Sequence, residues 1–340
     1  MLRLGKKWFA TLLTLSAFLM VPSPGNAQNT PDKPVNLKVQ VLPIGTSWYM
    51  FGATYSKALQ EALPAHSIVD VVAKGGGVAN IIAVQQHKAD VALANLISTI
   101  WAWNGDKEVF RGKSYQDVRA LAGGLNSAWL TPCVRAGFFE KYNISSLDEV
   151  FTKNIPVRIV MKPKGATVVT LAYKLIESMG SSAEKIRDAG GEIIHVSPEQ
   201  AESLMRDGQA DIYFEAGMPN HPTINSLSLT TDVVFPDLPE KFIKDCEVQG
   251  LVLSQLPQCF KGQLKPLSSF DMGTVLLVHK DMSEDMAYFL TKIVCEQRDS
   301  IAAAHKAWED FIPDQGWTKA NTGIPLHPGA ERYYKERGWM

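Results

Sequence analysis

The chain has 340 residues, of which 46% are hydrophobic and 20% are charged. Its 34 basic and 35 acidic side chains give a net charge of −1, which argues against a nucleic acid partner and offers no basic patch for a membrane surface. The length is sufficient for two domains, each with its own hydrophobic core.

The N-terminal segment has the pattern of an export signal. Three basic residues precede an apolar stretch at 8–21 that is short for a membrane span, and small residues follow at 25–27. We therefore predict that residues 1–27 are a signal peptide cleaved near Ala27 and that the mature protein is periplasmic. Cleavage would remove three positive charges and no negative ones, which lowers the net charge to −4. An uncleaved membrane anchor is the alternative.

The same order of elements then occurs twice along the chain. In the first unit, strands are predicted at 35–42, 68–73 and 88–93, and small-residue loops at 45–47 and 75–77 each precede a helix.

The second unit repeats this order, with strands at 155–161, 192–196 and 209–214 and a loop at 164–167 before its first helix. This alternation is typical of an α/β protein with parallel sheets and crossover helices, and such sheets bind ligands beyond the carboxyl ends of their strands. Two such edges predict two lobes with a ligand cleft between them.

A further strand at 273–279 and a helical segment at 283–306 follow the second unit and can return to the first lobe. We predict lobe one at 28–128 and 250–340 and lobe two at 129–249, joined by a double-stranded hinge near 126–134 and 250–280.

The four cysteines allow disulfides in an exported protein. Cys246 and Cys259 flank a loop-like stretch and are the predicted disulfide. Cys133 and Cys295 lie in apolar sequence and are predicted to be buried thiols.

Chemical motifs are sparse. The seven histidines are scattered without the spacing of a metal site, and no nucleophile stands at a recognisable distance from a base. The sequence therefore predicts no catalytic residue, no metal site and no cofactor, although folding could gather distant residues.

The loops that precede helices favour an anionic ligand. A helix start exposes unpaired backbone N–H groups and the positive end of the helix dipole, which together favour a carboxylate. Lys74, Lys162 and Lys164 could add positive charge, and the alternative is that they are solvated. Glu215 could meet a ligand amine, although a lysine or arginine partner is the simpler expectation.

Aromatic residues stand near the same predicted edge. An aromatic loop is predicted at 101–105, and Trp48, Tyr49, Trp101 and Trp103 could provide flat apolar walls. Ordinary packing on the lobe is the alternative for the tryptophans.

Taken in order, several motifs resemble the TAXI family of substrate-binding proteins, which are the extracytoplasmic receptors of TRAP-type transporters. The motifs lie at 45–52, 75–80, 89–93, 208–219 and 326–338. The resemblance implies a type II-like, two-lobed periplasmic-binding-protein fold, in which each lobe is a mostly parallel sheet flanked by helices. It also implies a receptor that closes on a small solute, typically a carboxylate such as glutamate, glutamine or 2-oxoglutarate, and delivers it to TRAP-type membrane permease subunits.

This chain departs from the family pattern at the predicted pocket. Trp48 stands where the family usually has tyrosine, Gly77 where it usually has serine, and the loop at 164–167 keeps only Thr167 in register. The smaller Gly77 favours a bulkier or more apolar acid. The predicted ligand-binding residues are Thr46, Ser47, Trp48, Tyr49, Gly76, Gly77, Asn80, Asn95, Ser98, Thr167 and Gly217. Asn80 could instead serve as a structural cap, and Gly217 could be required by a turn.

Two other functions stay open at this point. The same fold can act as a periplasmic ligand sensor for a signalling partner, and an exported enzyme is a further alternative. Neighbouring permease genes would favour transport, a lone sensor kinase gene would favour signalling, and substrate turnover would indicate an enzyme.

Overall fold

Two five-stranded sheets, each flanked by helices, form the two lobes of the protein. The computed structural model describes residues 30–42, 44, 46–74 and 76–340. The predicted signal peptide at 1–27 and the loop glycines Gly45 and Gly75 lie outside the described residues. In the part of the chain that is described, no helix is long and apolar enough to cross a membrane.

The strands are β1 (Asn36–Val41), β2 (Ile68–Ala73), β3 (Val91–Asn95), β4 (Val118–Ala122), β5 (Trp129–Arg135), β6 (Arg158–Met161), β7 (Glu192–His195), β8 (Ile212–Gly217), β9 (Val233–Val234), β10 (Leu253–Leu256), β11 (Leu267–Phe270) and β12 (Thr274–His279).

The α-helices are α1 (Ser47–Ala62), α2 (Gly77–Gln85), α3 (Leu96–Asn104), α4 (Ala136–Tyr142), α5 (Leu147–Thr152), α6 (Thr167–Ser178), α7 (Ala183–Asp188), α8 (Pro198–Arg206), α9 (Pro222–Thr230), α10 (Glu240–Val248), α11 (Glu284–Glu296), α12 (Arg298–Ala304), α13 (Lys319–Thr322) and α14 (Pro328–Glu336). Two short 3-10 helices cover Lys306–Trp308 and Pro313–Gln315.

The two sheets share one topology. The strand order is β2-β1-β3-β12-β4 in the first sheet and β7-β6-β8-β5-β9 in the second. In each sheet, three neighbouring strands are parallel. The next strand in the sheet is antiparallel to them: β12 lies beside β3, and β5 lies beside β8. The repeated unit and the two-lobed α/β fold predicted from the sequence are therefore confirmed.

Local sequence explains where the main elements begin and end. Helix α1 starts after Thr46, whose side chain accepts a hydrogen bond from the Tyr49 backbone N–H at 3.2 Å, and it stops before Pro64, which a helix interior would reject. All six residues of β12 are buried, as expected for a strand with neighbours on both sides and helices on both faces.

Two predictions about local structure are wrong. The expected aromatic loop at 101–105 lies largely within α3, because a continuous apolar face buries Trp101 to 2% exposure. The single helical segment at 283–306 is divided into α11 and α12 at Gln297.

The two connections between the lobes run side by side, as the predicted hinge requires. The Leu125 backbone N–H donates to the Thr274 carbonyl at 3.1 Å, and the Met272 N–H donates to the Ala128 carbonyl at 2.6 Å. Asp271 reinforces the pair, because its Oδ1 accepts from the Ala128 N–H at 2.9 Å.

The predicted return to lobe one at residue 250 is wrong. The antiparallel pair β10–β11 packs with lobe two, since Leu256, Phe260 and Leu267 belong to the same buried cluster as Cys133 and Tyr213. Burial of these apolar side chains keeps the segment on lobe two, and the chain crosses back only at 271–274.

The predicted disulfide is also wrong. All four cysteines lie in described residues and are free thiols. Cys246 is buried on α10 in a cluster with Leu171 and Leu175, whereas Cys259 borders a different cluster that contains Phe260. The two sulfurs are therefore held in separate regions of the core.

Candidate functional site

A polar contact joins the lobes at the ends of their strands. Thr167, the first residue of α6 in lobe two, lies 2.9 Å by its Oγ1 from both Asn95 Oδ1 and Ser98 Oγ of lobe one. Thr167 donates its single hydroxyl proton to Asn95, so Ser98 donates to Thr167. The Asn95 amide group donates in turn to the Met272 carbonyl in the hinge at 3.0 Å. Three of the predicted site residues are thus brought together.

Gly77 borders the same point. A Cβ added to Gly77 would lie 3.1 Å from Asn95 Oδ1 and 3.9 Å from Ser98 Oγ. A serine here would therefore fill space beside the contact between the lobes. At Gly76, an added Cβ would meet none of the described atoms within 4 Å, so this position is open.

Three helix starts converge on this contact. Helix α2 begins at Gly77, α3 begins directly after Asn95, and α6 begins at Thr167. Within the described residues, none of the three starts has a side chain that caps it, so their first-turn N–H groups depend on other partners. Each helix dipole favours an anion by about 0.3–1 kcal/mol.

The start of α1 is close to the same edge, but its first residues form hydrogen bonds with other residues of lobe one. Trp48 is only 6% exposed, and its Nε1 donates to Thr274 Oγ1 at 3.1 Å, on the residue that pairs with Asn95. The Ser47 carbonyl accepts from Trp308 Nε1 at 3.2 Å. Tyr49 packs against the lobe-one core. Trp48 therefore has a packing role and positions the first turn of α1 at the cleft edge.

Asn80 and Gly217 have structural roles that account for them. Asn80 is fully buried, accepts from Gln40 Nε2 at 2.9 Å and donates to the Leu93 carbonyl at 2.8 Å. Asn80 thus fastens α2 to the sheet. At Gly217, an added Cβ would lie 2.3 Å from Thr131 Oγ1, so the Thr131 side chain on β5 leaves no room for a larger residue.

A buried carboxylate lies near the cleft edge of lobe two. Glu215 is fully buried, and its Oε1 lies 2.5 Å from Lys162 Nζ and 2.6 Å from the Ala216 backbone N. The Tyr213 hydroxyl donates to Oε2. Burial, followed by the Glu215 charge, raises the pKa of Tyr213, which stays protonated as this donor. The expected basic partner of Glu215 is confirmed as Lys162.

Lys174 forms a second contact between the lobes that the sequence does not indicate. Lys174 of α6 has its Nζ 3.0 Å from Asp106 Oδ2 and 2.9 Å from Glu108 Oε2. The ammonium also lies 5.4 Å from the centre of the Trp101 ring. Burial opposes the charge, but the two carboxylates outweigh burial and raise the pKa of Lys174. Because these partners are far apart in the sequence, no local pattern indicates the contact.

Two duplicated α/β lobes with a double hinge and a polar cleft form the periplasmic-binding-protein fold that the sequence predicts. The model of the NMT1-like family matches residues 43–338, so the chain belongs to the NMT1-like family.

Several solved structures are similar to this chain. The aliphatic sulphonate binding protein SsuA from Escherichia coli has 12% identity over 89% of this chain and 84% of its own, with a TM-score of 0.43. The alkanesulfonate-binding SsuA from Xanthomonas axonopodis, bound to MOPS, has 13% identity over 90% and 85%, with a TM-score of 0.42. A TctC solute binding protein from Polaromonas has 13% identity over 91% and 99%, with a TM-score of 0.49.

Proposed function

We propose that this protein is a periplasmic solute receptor of the TAXI type, which binds a small carboxylate between its lobes and delivers it to a TRAP-type permease. The predicted signal peptide supports export, and the ordered motifs at 45–52, 75–80 and 326–338 support the transporter class. Membership of the NMT1-like family is compatible with this assignment.

The observation that carries the proposal is the meeting of three helix starts across the cleft. The N-terminal ends of α2 and α3 in lobe one and of α6 in lobe two lie around Asn95 and Thr167. Backbone N–H groups and dipoles from both lobes are then directed at one place, which suits a carboxylate that bridges them.

Lys162 supplies a positive charge for the same ligand. Its side chain is 28% exposed, and its ammonium pairs with the fully buried Glu215. Glu215 already accepts hydrogen bonds on both oxygens, from Lys162, Ala216 and Tyr213. The site therefore favours an acid that does not need an amino group, and Gly77 leaves room for a bulky or apolar substituent beside it.

Closure follows from the contacts between the lobes. The hydrogen bonds of Thr167 and the ion pairs of Lys174 join the lobes only when the cleft is narrow. A ligand that bridges the lobes would shift the population toward this closed form, which the permease would recognise. The groups around Thr167 are hydroxyls, an amide and backbone N–H groups, which suit reversible binding, and we propose no catalytic step.

A thermal-shift screen of the mature protein tests the ligand class. Organic acids should raise the melting temperature, whereas the corresponding neutral amides should not. For an acid that binds, Lys162→Met in a Glu215→Gln background, which leaves no buried carboxylate unpaired, should weaken binding by about 1.5–3 kcal/mol, roughly 10- to 150-fold, because a charge-assisted hydrogen bond is lost. Lys164→Met, at an exposed position of the adjoining loop, is the matched control.

The proposal fails if no acid stabilises the protein while an amine or a sugar does. Equal losses of ligand affinity in the Lys162 and Lys164 variants would show that the Lys162 charge does not bind the ligand. Permease genes beside this gene, with uptake of the same acid by that permease only when the receptor is added, would support the transport role. An isolated sensor kinase gene would favour signalling.

A further inference from the structure

A cluster of two histidines and one aspartate lies on lobe one. One donor atom from each of His87, His279 and Asp281 lies within 4.8 Å of the other two. The two imidazole rings are 3.8 Å apart between their centres, and His279 Nδ1 is 3.5 Å from Asp281 Oδ2. His87 and His279 are far apart in the sequence, so no spacing motif reveals the cluster.

This cluster is remote from the cleft. In the pairing of β12 with β3, Thr274 lies opposite Asn95 at the cleft edge, and His279 is at the other end of β12. Five residues at about 3.3 Å each place His279 roughly 17 Å from that edge. The cluster borders a separate cavity of about 440 Å3, which Asp90 and Ser283 also line.

Backbone hydrogen bonds fix the turn that carries two of the three residues. The Lys280 N–H donates to the Asp117 carbonyl at 2.6 Å, and the Met282 N–H donates to the His279 carbonyl at 3.1 Å, which fixes the turn that bears His279 and Asp281. The neighbouring Lys280 ammonium is 2.9 Å from Asp117 Oδ1, so its charge is offset.

His87 lies in a turn where its backbone adopts a left-handed conformation. It follows Gln86, which caps the end of α2. Its N–H donates to the Val84 carbonyl at 3.0 Å, and its φ is +54°. The left-handed region is uncommon for residues other than glycine, and histidine is among the side chains enriched there. The turn presents an exposed imidazole beside the buried ring of His279.

We propose that His87, His279 and Asp281 bind a divalent transition-metal ion, with zinc as the expected occupant. Two imidazoles and a carboxylate are ligands that zinc, nickel and copper accept, whereas calcium and magnesium prefer sites built only from oxygen. Donor atoms around a tetrahedral zinc ion lie about 3.3 Å apart, and rotation of the exposed His87 and Asp281 side chains can close the present separation.

The ion would fasten the end of α2 to the end of β12. Helix α2 extends from this site to the cleft, where Gly77 begins it beside Asn95. Bound metal would therefore stabilise lobe one without occupying the ligand cleft. This inference does not depend on which solute the cleft binds.

The test is a zinc titration of the untagged mature protein after removal of metal with EDTA. We expect one zinc ion per chain, a higher melting temperature with zinc, and no comparable binding of magnesium. His87→Asn and Asp281→Asn should each weaken zinc binding at least about tenfold, since loss of even an outer partner of a metal ligand costs about 10–100-fold.

His66→Asn is the matched control, because His66 is also exposed, also has a positive φ of 70°, and lies outside the cluster. It should leave zinc affinity unchanged. Asparagine tolerates the left-handed backbone of His87 and His66 and has the shape of aspartate at position 281, so melting of the metal-free variants should match the wild type. The proposal is overturned if zinc does not bind, if His87→Asn and Asp281→Asn bind it as tightly as wild type, or if a cleft ligand displaces it.

Discussion

Replacing Thr167 with valine removes the polar contact between the lobes and keeps the shape of the side chain. Thr167 Oγ1 makes two hydrogen bonds of 2.9 Å, one to Asn95 and one to Ser98. Each is worth about 0.5–1.5 kcal/mol net, so the closed form should lose about 1–3 kcal/mol. In the open form these groups are hydrated, so the loss weakens ligand affinity by roughly 5- to 150-fold.

Isothermal titration with the acid found in the screen measures this loss, and denaturation in urea should show unchanged stability. Thr170→Val is the matched control, because Thr170 is on the same helix one turn further along. If Thr167→Val binds the acid as tightly as wild type, or if Thr170→Val loses as much, the contact at Thr167 does not contribute to closure as we argue.

Four further variants and assays follow from the structure. Lys174→Met removes the ion pairs between the lobes, so small-angle scattering with the acid found in the screen should show less contraction than in the wild type. Asn80→Leu leaves two buried polar groups unpaired and should lower the free energy of unfolding by about 2–4 kcal/mol in urea. Gly217→Ala should cost about 1–3 kcal/mol, and adding Thr131→Ala should restore part of it, since the new Cβ would lie 2.3 Å from the threonine hydroxyl. Ellman's reagent without reductant should count four thiols in the unfolded protein, and in the folded protein only Cys259, the least buried, should react readily. Unaltered scattering, unaltered unfolding, an unrescued double variant or a count of two thiols would each contradict the corresponding statement.

Periodicity and turn residues were sufficient to predict the duplicated fold. Some signals are local and locate an element within a few residues. Alternating side chains indicate β1, the Thr46 cap indicates the start of α1, and Pro64 indicates its end. Repetition of that order in the second unit then predicts the second sheet, because parallel strands need crossover helices.

The local sequence did not predict which surfaces meet. The segment at 250–270 has an apolar pattern that either lobe could bury, and its packing against Cys133 decides the matter. Trp48 and Trp101 are predicted as possible walls of the cleft, but both are buried by residues distant in the chain. Trp48 contacts Thr274, and Trp101 lies beside Lys174.

Part of the candidate site was nonetheless accessible to sequence reasoning. Gly77 and Thr167 are predicted site residues because their loops precede predicted helices, and Asn95 and Ser98 because they follow a predicted strand. The structure brings the four together. The ion pair of Lys174 with Asp106 joins residues from different lobes, so only the folded chain reveals it.

The most direct test of the central claim is a crystal structure of the protein with the acid that stabilises it most. We predict the ligand carboxylate between the lobes, within hydrogen-bond distance of first-turn N–H groups of α2 and α6 and close to Lys162. A ligand bound to one lobe only, or with its carboxylate turned to solvent and an apolar group at the helix starts, would contradict the account.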